Sequence, residues 1–347
     1  INFIGNRVYA DMESDGEDYF LVVLDGEIYN NSFPVRERKL YKLVEDIEYG
    51  EHCLELVKRT EAFVGTASFY GFEIYDGKIL EPPKEKELKI EIFGDSISCG
   101  YGIECKNEFG EFYAKDENSY LSYGAIAARR LNAEINLTSW SGLGLVRNYD
   151  DSSMPLPERI EWITNKNKKK KWDFSSYVPD IVLINLGTND FNEHPPSEDN
   201  FVDGYRILID TIRNYYGEVK IICAIGPVME GKALKNIRNY VKEQVVDFYN
   251  SIGDKNIFFL EHEHQKAENG YGQAYHPSQK THYIMADELA QKIKEIGNSG
   301  INDITFIIGG ANGLHEKVTN ISNFKLSFSK MTFTHQMIRL LLTEQIY

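Results

Sequence analysis

Three polar residues at or near the ends of apolar runs have the side chains that acyl transfer needs. Ser96 follows Ile90-Glu91-Ile92-Phe93-Gly94-Asp95, Asn189 follows Leu186-Gly187-Thr188, and His276 precedes Pro277 farther along the chain. A serine acyl transfer needs a nucleophilic hydroxyl, a base within hydrogen-bond reach and donors aimed at the developing oxyanion. Ser96 is the candidate nucleophile and His276 the candidate base. The oxyanion donors would be the backbone N–H groups of Ser96 and Gly142 and the side-chain amide of Asn189. Gly142 lies in Ser141-Gly142-Leu143-Gly144, where a glycine lets the backbone approach a ligand closely. A serine at a strand end can equally cap a helix, and no G-x-S-x-G elbow surrounds Ser96. Gly-Asp-Ser alone therefore leaves nucleophile and cap both open. Asp95 reads as a turn residue that accepts backbone N–H groups.

The elements that must hold these groups can be read from texture. Apolar strands are expected at 89–94, 133–138, 180–186, 220–225 and 256–260, with helical patterns at 123–131 and 235–249 and a last helix at 283–296. Such alternation predicts an α/β fold with a parallel five-stranded sheet and helices on both faces. Open sheets of this kind place their chemistry at the carboxyl ends of the strands. Residues 1–84 differ: short strands at 19–24, 38–43 and 52–58 are separated by Asp25-Gly26, Tyr49-Gly50 and Asp76-Gly77, which predicts a β-sandwich. Pro82-Pro83-Lys84-Glu85-Lys86-Glu87 reads as a stiff, charged linker. Lys166, Lys168, Lys169, Lys170 and Lys171 read as a solvated loop.

The chain has 347 residues, 42% hydrophobic and 26% charged, with a net charge of −15. That balance speaks against a nucleic-acid partner, because phosphate affinity comes from clustered Lys and Arg. No window resembles a membrane span and no signal peptide is visible, so the expected location is cytoplasmic. The spacing of Cys53, Cys99, Cys105 and Cys223 fits no metal motif. Cys223, inside Ile221-Ile222-Cys223-Ala224-Ile225, reads as a reduced core thiol. Glu261-His262-Glu263-His264 lacks a third ligand at recognisable spacing and is expected to be a solvated loop, while His282 is expected to open the last helix and pack there. No metal and no cofactor are expected.

Ser96, Gly142, Asn189 and His276 resemble, in order and spacing, the four marker blocks of the SGNH (GDSL-like) hydrolases. Gly-Asp-Ser-Ile-Ser-Cys-Gly-Tyr-Gly, Ser-Gly-Leu-Gly and His-Pro-Ser-Gln-Lys-Thr-His, following a sandwich, resemble carbohydrate esterase family 2 over about residues 1–296. The resemblance implies a jelly-roll domain at 1–84 and a flavodoxin-like SGNH esterase domain at 88–296. It also implies an acetylxylan esterase activity that removes O-acetyl groups from plant polysaccharides or oligosaccharides. One position departs from the pattern: the aspartate three residues before the histidine is replaced by Gln273. A Ser96–His276 dyad is then expected, with a backbone carbonyl of Gln273 or a neighbour holding the imidazole; Glu261, Glu263 and Glu268 are the alternative partners. Tyr275 stands where the family commonly has an aromatic residue, either to stack on a sugar or to pack.

After Gly297-Asn298-Ser299-Gly300, residues 301–347 form a third piece. Ile304 to Leu314, with Gly309-Gly310-Ala311-Asn312-Gly313, and Leu326 to Met337 resemble the C-terminal part of the SPOUT-class methyltransferase of large-subunit ribosomal RNA, although the strands completing its knot are absent. An apolar helix is expected to run to Tyr347. Ile338, Leu340, Leu341, Leu342 and Ile346 would expose an apolar face, so the tail is expected to pack on the esterase domain or form a homo-oligomer. The alternatives to an esterase are a carbohydrate-binding protein on the same fold and, from the tail, an RNA methyltransferase that binds S-adenosylmethionine.

Overall fold

Period-two burial builds the first domain. In β2 (Arg7–Ser14), Val8, Ala10 and Met12 point inward while their neighbours are less buried, as a pleated strand with one covered face requires. Asp25 and Gly26, at φ 51° and 87°, join β3 (Asp18–Leu24) to β4 (Glu27–Val35). Two consecutive positive φ values make this a tight hairpin whose twist matches its strands. With β1 (Asn2–Gly5), β5 (Lys39–Val44), β6 (Gly50–Lys58), β7 (Ala67–Tyr75) and β8 (Lys78–Ile79), these strands form antiparallel sheets ordered β4-β3-β6-β1-β8 and β5-β2-β7. Phe3, Val8, Met12, Val22, Leu43 and Leu54 fill the space between them.

The second layer system is parallel. β9 (Leu88–Gly94), β10 (Ala133–Ser139), β11 (Ile181–Asn185), β12 (Lys220–Ile225) and β13 (Ile257–Glu261) pair in the order β10-β9-β11-β12-β13. Every residue of β11 is buried, the signature of a strand covered on both faces. The helices of this domain are α1 (Ser96–Cys99), α2 (Tyr123–Arg130), α3 (Glu198–Tyr216), α4 (Gly231–Arg238), α5 (Phe248–Ser251) and α6 (Gln279–Asn298). Ser197 caps α3, which buries Phe201, Tyr205, Leu208 and Ile212 at helical spacing. The segment expected as one helix over 235–249 begins earlier, at Gly231, and runs through nine residues of π-helix, Asn239–Asp247, before α5. The last helix likewise begins at Gln279 rather than 283, so the buried His282 sits within its first turn.

The computed structural model describes residues 1–164, 170–298, 307–309, 313–321, Met337 and Leu340. It divides into two compact units, Ile1–Lys294 and Glu295–Tyr347. In the second unit α7 (Glu316–Ile321) is helical and residues 307–309 are irregular. Most of the two stretches that resemble the methyltransferase, 304–314 and 326–337, most of the terminal helix, Ser299, Gly300, Lys166, Lys168 and Lys169 lie outside the described residues. Among the described residues no helix is long and apolar enough to cross a membrane. All four cysteines are free thiols, with Cys223 buried.

Candidate active site

Sheet register gathers the candidate residues. Gly94, at the end of β9, pairs with Ser139 on one side and Asn185 on the other. The loops after three neighbouring strands therefore open side by side at the carboxyl edge, where parallel sheets carry their sites. The first loop holds Ser96, the second Gly142 and the third Asn189.

The capping role left open for Ser96 falls to Asp95. Its extended backbone precedes α1 and its Oδ1 accepts the Ile97 N–H at 3.0 Å. Burial and the nearby Asp190 push the Asp95 carboxyl up to about 7. Ser96 is thus the first helical residue, where a backbone N–H has no intrahelical acceptor. Its Oγ lies 2.7 Å from His276 Nε2.

His276 is held from its other side by backbone. Nδ1 stands 2.8 Å from the Gln273 carbonyl oxygen, so Nδ1 carries the proton and the Nε2 lone pair faces Ser96. The three carboxylates considered as partners are elsewhere. Glu261 makes a two-pronged pair with Arg238 at 2.6 and 2.5 Å, Glu263 pairs with Lys266, and Glu268 lies on an exposed turn. Burial of the imidazole lowers its pKa from 6.5, against the opposing pull of the Gln273 and Ala274 backbone. The loop that delivers this carbonyl is strained: Ala274 and Tyr275 adopt φ of 50° and 61° in succession, a region costly for residues with a Cβ. Gln273 N–H donates to the Gly102 carbonyl at 3.1 Å, and its side chain donates to the Gly110 carbonyl at 2.6 Å.

Gly142 has φ 78°, which favours glycine there, and its N–H makes no hydrogen bond among the described residues. Asn189 Nδ2 donates to the Leu143 carbonyl at 2.8 Å. That bond uses one of its two amide protons and leaves one available. Asp190, which the sequence reading did not single out, ties the second and third loops together. Its carboxylate accepts the N–H groups of Leu145, Val146 and Arg147 at 2.8, 2.7 and 2.9 Å. Only its adjacency to Asn189 could have flagged it.

Aromatic rings line the approach. Tyr101 lies 4.6 Å from the His276 ring and stacks on Phe112 at 4.5 Å, and Phe112 meets Phe63 of the sandwich at 5.3 Å. Tyr275 is half exposed, with its edge contacts to Phe109 and Tyr271 leaving part of the ring in solvent.

The expectation of a solvated loop at Glu261-to-His264 holds for the exposed Glu263 and His264 and is corrected at the first two residues. Glu261 ends β13 and His262 is buried, with Nδ1 2.7 Å from Glu288 on α6 and its ring against Tyr123. The partner that permits burial of this polar ring is supplied from another element.

A strand-end serine bonded to an imidazole, with amide donors on the two adjoining loops, defines a serine carboxylic-ester hydrolase. Residues 92–284 match the GDSL-like Lipase/Acylhydrolase family and residues 1–83 match the Carbohydrate esterase 2 N-terminal family. The cellulase/esterase CelE of Acetivibrio thermocellus is 42% identical over 294 residues, covering 85% of this chain and 36% of CelE. An acetylxylan esterase / glucomannan deacetylase of Cellvibrio japonicus is 24% identical over 302 residues, 84% of this chain and 80% of that protein. A solved family two carbohydrate esterase from Clostridium thermocellum, in complex with cellohexaose, superposes with a TM-score of 0.82 at 41% identity and covers 86% of this chain and 91% of its own. The chain belongs to the GDSL-like lipase/acylhydrolases and, within them, to carbohydrate esterase family 2. It spans only about a third of CelE. Residues 222–347 also match the SPOUT methyltransferase family, overlapping the esterase match over 222–284.

Proposed function

We propose that the protein removes O-acetyl groups from acetylated xylan or related polysaccharides and oligosaccharides through a Ser96–His276 dyad. The observation that carries this reading is His276 bridged between Ser96 Oγ at 2.7 Å and the Gln273 carbonyl at 2.8 Å. Ser96 Oγ attacks the acetyl carbonyl carbon while Nε2 takes the hydroxyl proton. The oxyanion is held by the N–H groups of Ser96 and Gly142 and the spare Asn189 amide proton. His276 then protonates the departing sugar oxygen, leaving an acetyl-serine. A water, deprotonated by Nε2, attacks that ester, and acetate leaves as Ser96 recovers its proton. The Gln273 carbonyl fixes the imidazole tautomer, which a carboxylate does in a triad. The exposed part of the Tyr275 ring offers a stacking face for a sugar. The names of the Cellvibrio and Clostridium proteins, with acetylated polysaccharide and cellohexaose, agree with such a substrate. Acetate release from acetylated xylan and acetylated glucomannan tests the reading, and absence of release from both overturns it.

The lowered pKa of His276 sets the acid limb of the pH profile. The base works only when neutral, so activity is lost as pH falls through its pKa. With burial holding that pKa below 6.5, kcat/KM for acetate release is expected to reach half its plateau below pH 6.5. A midpoint above 7 would mean that an anionic partner raises it, contrary to the dyad. The proposal extends to the tail: Met337 and Leu340 are exposed within their own unit, and residues 301–347 mediate self-association. A monomer in sedimentation of the whole chain overturns that part.

A further inference from the structure

Carboxylates are rarely buried without a partner, and Glu61, in the segment that follows β6 of the sandwich, is 8% exposed. Its partner is Ser141, 80 residues away and next to Gly142. Glu61 Oε2 accepts the Ser141 N–H at 2.6 Å, and Oε1 accepts the Ser141 hydroxyl. One carboxylate thus takes both donors of a single residue. The anchor is itself anchored. Glu61 N–H donates to Glu117 Oε1 at 3.1 Å, the Ser119 N–H donates to the Arg59 carbonyl at 2.9 Å, and the fully buried Arg59 guanidinium donates to the Glu117 carbonyl at 3.0 Å. The first-domain segment that carries Glu61 is therefore fixed to the second domain before it reaches the loop.

We infer that Glu61 is a positioning residue of the esterase: the sandwich domain reaches across to clamp Ser141 and thereby aims the Gly142 N–H at the oxyanion. This rests on the Proposed function reading of Gly142. The Gly142 N–H belongs to the peptide unit that begins at the Ser141 carbonyl carbon. Fixing Ser141 at its nitrogen and its Oγ leaves that unit little freedom except rotation about Ser141 ψ. The sandwich is then part of the reaction machinery and not only a wall beside it. Oxyanion donors act by being held in place before charge develops, so a loosened loop lowers the rate of the chemical step more than it weakens substrate binding.

Glu61→Leu keeps the bulk of the side chain and removes both acceptors of the Ser141 donors. It is expected to lower kcat for acetate release about tenfold to a hundredfold, the range for a small misplacement of a reacting group, while KM stays within about twofold. Amide exchange of residues 140–147 in the same variant is expected to speed up, with the rest of the sheet unchanged. Ser141→Ala, which removes only the hydroxyl contact, is expected to lower kcat by less. A folded Glu61→Leu protein with parental kcat, or one that loses kcat without faster exchange in 140–147, overturns the inference. Should Glu61→Leu not fold, Ser141→Ala decides, and an unchanged kcat there overturns it. A parent protein that releases no acetate sinks the esterase reading instead. Exchange in 140–147 would then still report whether Glu61 holds the loop.

Discussion

Ser96→Ala is expected to lower acetate release by at least about 10⁴-fold, the order that loss of a serine nucleophile costs in related chemistry. In the proposed mechanism the Ser96 Oγ forms the acyl bond, and that Oγ faces His276 Nε2 at 2.7 Å. His276→Ala is expected to cost a similar amount, because Ser96 without a base is an ordinary alcohol. The double variant should then be little worse than either single one, since the pair acts as a unit. What remains would come from the oxyanion donors and substrate binding. Initial rates of acetate release for the parent, both single variants and the double variant test this, with unfolding curves confirming that each is folded. Retention of a tenth of the parent rate by Ser96→Ala would remove Ser96 from the mechanism.

How much of this was legible in the sequence depends on where each signal resides. The inner strands β11 and β12 were readable because strands buried on both faces are nearly continuous apolar runs, as in residues 181–184. The edge strand β10 instead mixes polar and apolar residues and is mostly half-buried. Ser96, Gly142, Asn189 and His276 could be put forward as candidates because each role needs a particular side chain, or the lack of one, in a loop beyond a strand. The acceptor for His276 Nδ1 is a backbone carbonyl, which any residue can supply, so Gln273 signals only that an aspartate is absent. The left-handed conformations of Ala274 and Tyr275 carry no mark, since neither residue type favours them. Glu61 was invisible for a different reason: its partner is 80 residues away, and no local period encodes a contact between domains. Glu261 to His264 read as a solvated loop for want of a third metal ligand, but Glu288, 26 residues beyond His262, lets that one histidine be buried.

Gly102→Ala is expected to lower kcat about a hundredfold without touching any reacting atom. Gly102 has φ 56°, and a Cβ built there would meet Gln273 Cβ at 2.1 Å and its Cα and N at 3.1 Å. Two of those three atoms are backbone, so no side-chain rotation relieves the overlap. Either the 100–103 turn or the 272–276 loop must move by about 1 Å, a displacement that costs around 10²-fold when it reaches a catalytic group. Under the proposed dyad it reaches one, because the Gln273 carbonyl is the acceptor that holds His276. The backbone strain of a positive φ, about 1 to 2 kcal/mol, must be separated from the displacement. Gly26, in the β3–β4 hairpin, supplies the control: its φ is 87° and a Cβ there meets nothing within 4 Å. Gly26→Ala should therefore lose stability through strain while keeping kcat within about twofold of the parent. Unfolding midpoints and acetate-release kinetics of the two variants separate the effects. Equal losses of kcat in both would mean that strain alone is felt at the site, and that the close packing of Gly102 on Gln273 does not position the base.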